Sequence, residues 1–271
     1  MTKTIFITGA SGGFGKTWTE AFLQQGYKVA AAARNVTVLN DLVEKYGDAI
    51  LPIQLNVTDR EACFAAVQKV QQHFGKLDVL INNAGYALMG AVEEATEKEA
   101  RDQFETNFFG YLWLTQAVLP IMRAQNSGHI IQVSSILGLV TLPTMGLYNA
   151  SKFAIEGLSE TLASEVKNFG INVTLIEPNG YASDIWKGEF NSASIAAYDE
   201  VKKVFSQSAP PDSFGKTEAT ADAILKLLEV PNPPLRLLLG KVALPFVKQI
   251  YQGRLAVWEE WAEVSEKAHG H

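Results

Sequence analysis

The 271-residue chain contains few of the cysteine and histidine residues that disulfide frameworks and metal sites require. Its one cysteine, Cys63, rules out a disulfide within the chain. The four histidines are scattered, and with a single cysteine they provide no metal-ligand spacing. They are His73, His129, His269 and His271. The sequence therefore predicts neither a disulfide scaffold nor a metal site.

A basic surface and a long hydrophobic run are also missing. The formal net charge is −6, whereas nucleic acids and anionic membranes favour a basic partner. No stretch approaches the roughly 18 consecutive apolar residues of a membrane span. The apolar run after Lys3 is too short for a signal peptide. We therefore expect a cytoplasmic protein with no nucleic-acid or membrane partner.

What the sequence does contain is a regular alternation of strand and helix patterns. Short apolar runs predict strands, and helical periodicity fills the gaps between them. This alternation predicts an α/β fold of the Rossmann type, with a doubly wound parallel sheet. The predicted strands are Thr4–Thr8, Lys28–Ala33, Leu51–Leu55, Val79–Ile81, His129–Val133, Asn172–Ile176 and Leu235–Leu239, and the predicted helices are Phe14–Gln25, Asp59–Phe74, Glu97–Ala124, Leu147–Asn168 and Thr217–Glu229.

Two segments break the alternation near the carboxyl terminus. Residues 183–211 follow the sixth predicted strand, contain several aromatic residues and are predicted to form a partly helical substrate lid. Residues 232–271 are predicted to form a helical extension. Because no linker separates either segment from the rest, we expect residues 1–271 to form a single domain.

A glycine-rich turn joins the first predicted strand to the first helix. Glycines allow a tight turn and a close approach of the backbone to a pyrophosphate, and the helix start offers free N–H groups. A strand before and a helix after the turn are the context of a dinucleotide site. The turn reads Thr8-Gly9-Ala10-Ser11-Gly12-Gly13-Phe14-Gly15, with Gly9, Gly13 and Gly15 as the key glycines.

The same turn also fits the G-x-S-x-G nucleophile elbow of hydrolases, which would make Ser11 a nucleophile. That elbow normally follows several strands, whereas this turn follows the first. A catalytic triad also needs a histidine at the ligand edge of the sheet. His73 and His129 precede strands, and the other two histidines are at the terminus. Hydrolysis is therefore disfavoured.

The second predicted strand indicates the choice of cofactor. NAD-binding proteins place an acidic residue at the end of this strand, where it bonds the ribose 2′-hydroxyl. Here the strand ends at Ala33-Arg34, and Asp41 is the next acidic residue. Since an arginine can bind a 2′-phosphate through several donors, NADP(H) is favoured and NAD(H) is the weaker alternative.

A tyrosine, a lysine and a serine provide the candidate reaction chemistry. Tyr148 and Lys152 are four residues apart and share one face of a helix. An adjacent ammonium lowers the pKa of a phenol toward neutrality, which makes it useful as an acid or base. Ser134 and Ser135 end the fifth predicted strand, where a hydroxyl can bond a carbonyl oxygen.

Taken in chain order, these motifs resemble those of the classical short-chain dehydrogenases/reductases. The resemblance covers residues 4 to about 184. It implies hydride transfer between NADP(H) and a ketone, aldehyde or alcohol, and a homodimer or homotetramer. The matching motifs are Thr8-Gly9-x-x-x-Gly13-x-Gly15, Asn82-Asn83-Ala84-Gly85, Asn107, Ser135, Tyr148-x-x-x-Lys152, and Pro178 with Gly180.

The resemblance also implies roles for individual residues. Tyr148 would exchange a proton with the substrate oxygen, Lys152 would lower its pKa and hold the ribose, and Ser135 rather than Ser134 would hold the substrate oxygen. Asn107 would hold a water in a proton relay. Residues implied to contact the cofactor are Gly9, Ser11, Gly13, Phe14, Gly15, Arg34, Asn56, Val57, Asn83, Ala84, Gly85, Tyr148, Lys152, Pro178, Gly180 and Ser183.

Some positions depart from the family pattern, and two other functions stay open. Asn56 stands where the family often has aspartate, Asn179 separates Pro178 from Gly180, and Ser183 replaces a threonine. The alternatives are a non-redox member, such as an epimerase or dehydratase, and a cofactor sensor without turnover. Aromatic residues in the predicted lid, rather than clustered arginines, predict an apolar carbonyl or alcohol substrate.

Overall fold

Seven strands form one parallel sheet in the computed structural model, which describes residues 2–182, 190–208 and 213–270. Their order is β3-β2-β1-β4-β5-β6-β9. The order reverses between β1 and β4, where doubly wound sheets bind ligands. The strands are β1 (Thr4–Thr8), β2 (Lys28–Ala33), β3 (Ile50–Gln54), β4 (Val79–Asn82), β5 (Gly128–Val133), β6 (Ile171–Pro178), β7 (Tyr181–Ala182), β8 (Gly215–Lys216) and β9 (Arg236–Leu239), and β7 pairs with β8 in a separate small sheet.

The structure confirms the predicted Rossmann-type sheet and all seven predicted strands, with shifts of one or two residues at their ends. Helices flank the sheet on both faces. Among the described residues, no helix is long and apolar enough to cross a membrane. The helices are α1 (Gly13–Gln24), α2 (Asn40–Tyr46), α3 (Arg60–Phe74), α4 (Glu97–Phe104), α5 (Gly110–Gln125), α6 (Gly146–Val166), α7 (Asp199–Ser208), α8 (Ala221–Glu229), α9 (Ala243–Glu260) and α10 (Ala262–Lys267).

One predicted helix differs from the structure in a way that matters for the site. The pattern over Glu97–Ala124 predicts a continuous α-helix, but a π-turn at Glu105–Phe109 separates α4 from α5. A π-turn adds one residue to a helical turn, which hydrophobic periodicity does not reveal, and such turns occur often at functional sites. Asn107 is buried in the middle of this turn.

Two hydrophobic layers hold the sheet between its helices. Ile5 and Ile7 belong to the layer that contains Trp18, whereas Phe6 between them belongs to the opposite layer with Leu114. Successive residues of a strand point to opposite faces, so a strand that is covered on both faces must be apolar throughout. This explains the nearly continuous apolar runs of the sequence.

A group of charges links the edge strand β9 to β6 and α6. The Nε atom of Arg236 is 3.0 Å from Glu156 Oε2 and 3.3 Å from Glu177 Oε1, and its Nη2 is 2.8 Å from Glu160 Oε2. Glu177 is fully buried. Burial raises its pKa well above the ordinary value, the neighbouring Glu156 raises it further and Arg236 lowers it. At neutral pH the carboxyl of Glu177 is therefore expected to keep its proton.

Replacing Glu177 by glutamine tests this protonation. The folded wild type holds the proton more tightly than the unfolded chain, so stability falls as pH rises from about 4.3 through the raised pKa. Glu177→Gln cannot ionise. In urea unfolding between pH 5 and 8, we expect wild type to lose up to ~1.4 kcal/mol per pH unit relative to Glu177→Gln.

The control is Glu160→Gln, which removes the exposed carboxylate bound to the same guanidinium. Because Glu160 is largely exposed, this change should leave the pH dependence of wild type in place. Parallel stability curves for wild type and Glu177→Gln over this range would contradict the buried, protonated carboxyl.

Candidate active site

A cleft of about 1740 Å³ runs along the carboxyl ends of the parallel strands. Small-molecule sites usually enclose about 300–1,000 Å³, so this cleft has room for a cofactor and a substrate together. Its walls come from the glycine turn after β1, the segments that follow β2 to β6, the first turns of α6, and parts of α7 and α9.

The glycine turn after β1 forms a cradle that has no room for a side chain at Gly9 or Gly15. Gly9 and Gly13 have φ values of +67° and +50°, which favour glycine. A Cβ on Gly15 would lie 2.1 Å from the carbonyl oxygen of Gly9. The helix α1 starts here without a side-chain cap or an acidic residue in its first turn. Its free N–H groups and positive end therefore suit a phosphate, and Ser11 and Phe14 line the cleft beside them.

Hydrogen bonds tie this turn to the end of β4. The hydroxyl oxygen of Thr8 accepts from the backbone N–H groups of Asn83 and Ala84, both at 3.0 Å. In return, the amide of Asn83 donates to the carbonyl oxygens of Thr8 and Gly9, at 2.8 and 3.3 Å. These bonds place the predicted residues Asn83, Ala84 and Gly85 on the wall of the cleft.

The predicted contacts at the adenosine end also reach the cleft. Arg34 is exposed at the end of β2 and lines the cleft. No ion pair to it occurs within the part of the chain that the structure describes. Asn56 and Val57 line the wall beyond β3, and Val57 packs so closely on α5 that a Cβ on Gly110 would lie 2.9 Å from it.

Tyr148, Lys152 and Ser135 come together at the centre of the cleft. Tyr148 and Lys152 lie on α6, and both are buried, with 5% and 3% of their surface exposed. The hydroxyl of Ser135 lies close enough to Tyr148 to lower the pKa of its phenol. The ammonium of Lys152 donates to the carbonyl oxygen of Val133 at 2.7 Å and lies 5.6 Å from the centre of the Tyr148 ring.

Burial dominates the electrostatics of this pair. It raises the pKa of Tyr148 to about 12, against a lowering effect of the hydrogen bond with Ser135. It also lowers the pKa of Lys152 to about 7, while the charge of Glu156 raises it. The sequence-based expectation was a phenol pKa lowered by the ammonium. In this structure desolvation outweighs that effect, so the phenol stays protonated at neutral pH and is ready to donate a proton.

The structure also distinguishes the two serines at the end of β5. Ser135 Oγ accepts from the N–H of Leu137 at 3.1 Å, which fixes the hydroxyl beside Tyr148. Ser134 Oγ is buried and has no hydrogen-bond partner among the described residues. It lies against the backbone of Gly138, where an added Cβ would be 2.7 Å away. Of the two hydroxyls, the one that reaches Tyr148 is that of Ser135.

Asn107 holds the loop after β4. Its side-chain oxygen accepts from the N–H of Tyr86 at 3.1 Å, and its amide donates to the carbonyl of Tyr86 at 2.9 Å and to Ser151 Oγ at 3.2 Å. These bonds occupy the polar atoms of the side chain and fix the loop beside Gly85. The predicted water in a proton relay remains a prediction.

The segment after β6 closes the cleft on the other side. Pro178 and Gly180 line it as predicted. The amide of Asn179, which interrupts the family pattern, donates to the carbonyls of Gly180 and Ser213 at 3.1 and 2.8 Å. It thereby holds two backbone segments together. The predicted contact Ser183 lies outside the described residues, as do residues 184–189 and 209–211 of the predicted lid.

Sequence analysis missed how the described part of the predicted lid is attached. Backbone bonds of 2.9 Å join Met89 to Phe190 and Ser192. The carboxylate of Glu94 accepts from the N–H of Ile195 at 2.6 Å and from Lys202 at 2.5 Å. These bonds lower the pKa of Glu94 to about 2, and the bond from Ile195 has the largest effect. No sequence pattern indicates contacts over such a separation along the chain.

The helix α9 is a second contribution that sequence analysis did not identify. Pro245, Phe246 and Gln249 on its inner side line the cleft. Phe246 and Ile250 pack against the hydrophobic cluster that contains Tyr148. The carboxy-terminal extension therefore forms part of the wall of the site.

Comparison with known proteins identifies a family to which this chain is similar. A family model described as short chain dehydrogenase matches residues 3–193. The oxidoreductase BOA17 of Botryotinia fuckeliana is 39% identical over 98% of both chains. The 3-ketodihydrosphingosine reductase of Bacteroides thetaiotaomicron is 36% identical over 88% of both.

Two solved structures are similar in fold and in sequence. A short-chain dehydrogenase from Streptomyces avermitilis has a TM-score of 0.89 and 38% identity, covering 98% of this chain and 99% of its own. A short chain dehydrogenase from Burkholderia cenocepacia in complex with NADP has a TM-score of 0.76 and 28% identity, covering 96% and 97%. The similarity extends through the carboxy-terminal helices.

Thr8→Val should show how much the site depends on one hydroxyl. Valine has a similar shape, but it leaves the partly buried N–H groups of Asn83 and Ala84 without this acceptor. Each unsatisfied group costs about 1–3 kcal/mol, so we expect the free energy of unfolding in urea to fall by about 2–6 kcal/mol. Thr8→Ser keeps the oxygen and should retain most of the stability. Equal stability of Thr8→Val and wild type would show that these bonds are unimportant.

Proposed function

Because the chain belongs to the short chain dehydrogenase family, we propose that it is an NADP-dependent oxidoreductase that reduces a ketone or aldehyde to an alcohol, or catalyses the reverse. One observation carries the proposal. A buried phenol, with a serine hydroxyl and a lysine beside it, lies in the same cleft as a glycine cradle for a phosphate. An epimerase, a dehydratase or a cofactor sensor remains the alternative if no ketone is reduced.

The residues along the cleft fit a nicotinamide dinucleotide. The cradle at Gly9, Gly13 and Gly15 suits the pyrophosphate, because the start of α1 has no side-chain cap on its N–H groups. Arg34 supports NADP(H) over NAD(H), since its guanidinium is an exposed cation at the end of β2, where it would hold a 2′-phosphate. A relative from Ornithobacterium rhinotracheale, 33% identical over 73% of this chain, is an NADPH-dependent 3-dehydrocapnine reductase.

The mechanism assigns one task to each residue of the central group. Bound NADPH supplies the hydride that reduces the carbonyl carbon. Ser135 donates a hydrogen bond to the substrate oxygen and orients it. Tyr148, whose raised pKa keeps it protonated at neutral pH, then donates its proton to the same oxygen. Lys152, when protonated, stabilises the resulting phenolate and binds ribose hydroxyls. Asn107 positions the loop that carries Gly85.

The walls beyond Tyr148 support an apolar substrate. Leu142, Met145, Phe190, Phe205 and Phe246 line that end of the cleft. Apolar walls with a few placed polar groups are typical of small-molecule sites and do not compensate a charged substrate. The relative from Bacteroides thetaiotaomicron is a 3-ketodihydrosphingosine reductase, which also fits an apolar chain beside a ketone. We therefore propose aryl or alkyl ketones rather than charged keto acids.

Tyr148→Phe tests the reaction directly. NADPH oxidation is followed with a panel of aryl ketones, alkyl ketones and keto acids, with NADH in parallel. We expect turnover of the apolar ketones by wild type and a loss of about 10²–10⁴-fold in kcat for Tyr148→Phe, because the proton donor is gone. The affinity for NADPH, measured by fluorescence, should change little. A kcat within about threefold of wild type would remove Tyr148 from the mechanism.

Arg34→Asp tests the cofactor preference. The change removes the cation that would face a 2′-phosphate and supplies an acceptor for a 2′-hydroxyl. We expect the ratio of kcat/KM for NADPH over NADH to fall at least tenfold, or to invert. Lys16→Asp, an exposed cation of the first turn of α1 that does not line the cleft, is a matched control for charge. An unchanged ratio in Arg34→Asp would refute the assignment.

A further inference from the structure

Two ionisable side chains of α6 lie along the segment that ends β5 and follows it. Glu156 stands four residues after Lys152, which places both on one face of the helix. The Nζ atom of Lys152 donates to the carbonyl oxygen of Val133 at 2.7 Å. Glu156 lies against Gly138, where an added Cβ would be 2.9 Å from its Cγ and 3.1 Å from its Oε1. Of the two side chains, only that of Lys152 lines the cleft.

Glu156 is buried, with 5% of its surface exposed, and an arginine of β9 holds it. Its Oε2 is 3.0 Å from Arg236 Nε, while Arg236 Nη2 is 2.8 Å from the exposed carboxylate of Glu160. The third carboxyl beside this guanidinium, that of Glu177 on β6, is protonated at neutral pH because burial raises its pKa. One positive charge therefore faces two negative charges, and the group has one negative charge in excess.

The excess charge requires a cation inside the protein. The second oxygen of the carboxylate, Glu156 Oε1, is buried and has no hydrogen-bond partner among the described residues. A buried anion is costly unless a positive charge compensates it. The ammonium of Lys152 is suitably placed, about one helical turn away. Burial lowers its pKa to about 7, and the charge of Glu156 opposes this effect.

The other titratable groups around this ammonium are neutral. The Nζ atom of Lys152 lies 5.6 Å from the ring centre of Tyr148 on α6 and 5.3 Å from that of Tyr111 on α5. Burial raises the pKa of both phenols, so neither carries a charge at neutral pH. From β5 the ammonium meets the carbonyl of Val133, which does not ionise. Within the described part of the chain, the anion that acts on Lys152 is therefore Glu156.

We propose that Glu156 is a positioning residue that keeps Lys152 in its ammonium form, and that Arg236 holds Glu156 in place for this task. Glu156 does not line the cleft, so it acts on substrate and cofactor only through Lys152. The consequence for turnover rests on the function proposed above, in which this ammonium stabilises the phenolate of Tyr148 and binds the ribose. Without the charge of Glu156, the protein should lose the ammonium at a lower pH.

Competitive acetylation of the cofactor-free protein measures the charge of Lys152 without any turnover. Only an uncharged amine reacts with acetic anhydride. The labelled fraction of Lys152, measured by mass spectrometry from about pH 5 to 9, therefore gives the midpoint of its ionisation, with the exposed Lys16 as internal reference. We expect Glu156→Gln to lower this midpoint by about 1 pH unit, the lower end of the effect of a nearby opposite charge. Glutamine retains an oxygen that can accept from Arg236, which favours a folded variant.

Three further variants separate the effect of charge from that of structure. Glu160→Gln removes the exposed carboxylate of the same guanidinium and should keep the wild-type midpoint. Arg236→Gln breaks the ion pair but keeps the carboxylate of Glu156, so it should not lower the midpoint. Glu156→Asp keeps the charge on a shorter side chain and should give a midpoint below that of wild type. This variant decides the question if Glu156→Gln does not fold.

The pH profile of turnover completes the test. With ketone and NADPH, the decline of kcat/KM at high pH should begin at a lower pH in Glu156→Gln than in wild type. An unchanged acetylation midpoint in Glu156→Gln would overturn the proposal, and so would an equal fall in Arg236→Gln, which would indicate a structural effect. A lowered midpoint in Glu156→Gln without ketone reduction by wild type would contradict the proposed reaction and support this role of Glu156.

Discussion

The hydroxyl of Thr8 joins the ends of the two strands between which the order of the sheet reverses. Its oxygen accepts two backbone N–H groups of the segment after β4, while Asn83 returns two bonds to the segment after β1. Parallel strands end with unpaired backbone groups, and a buried group without a partner is costly. These reciprocal bonds satisfy the groups and at the same time set the width of the cleft at the glycine cradle.

Burial performs a second task at the centre of the cleft. In water, the two side chains would have the ordinary pKa values of tyrosine and lysine. Burial raises the pKa of Tyr148 and lowers that of Lys152. The carbonyl of Val133 and the charge of Glu156 then favour the ammonium. At neutral pH the phenol of Tyr148 is therefore protonated, whereas the amine of Lys152, with a pKa of about 7, gains or loses its charge when nearby charges change. Such responsiveness suits a site that gains and loses an anionic cofactor.

The sequence predicts those parts of the fold and the site that are determined by residues close together along the chain. Continuous apolar runs identify the strands, and spacing along one helix places Tyr148 and Lys152 together. The π-turn around Asn107 escapes such reasoning because one inserted residue leaves the surrounding periodicity almost unchanged. The contact of Glu94 with Lys202 escapes it as well, since the partners are 108 residues apart. Side-chain function at Asn107 likewise becomes visible only when its hydrogen bonds are known.

The π-turn also constrains how this chain can change in length. Each residue of an α-helix advances the direction of its side chains by about 100°. Deleting one residue from Glu105–Phe109 would preserve a helix but rotate α5 relative to α4 by that angle. Leu114, Val118 and Met122, all buried on one side of α5, would then leave the core. Residues in this turn can therefore be exchanged more readily than removed, and its length is fixed by the packing of the helix that follows it.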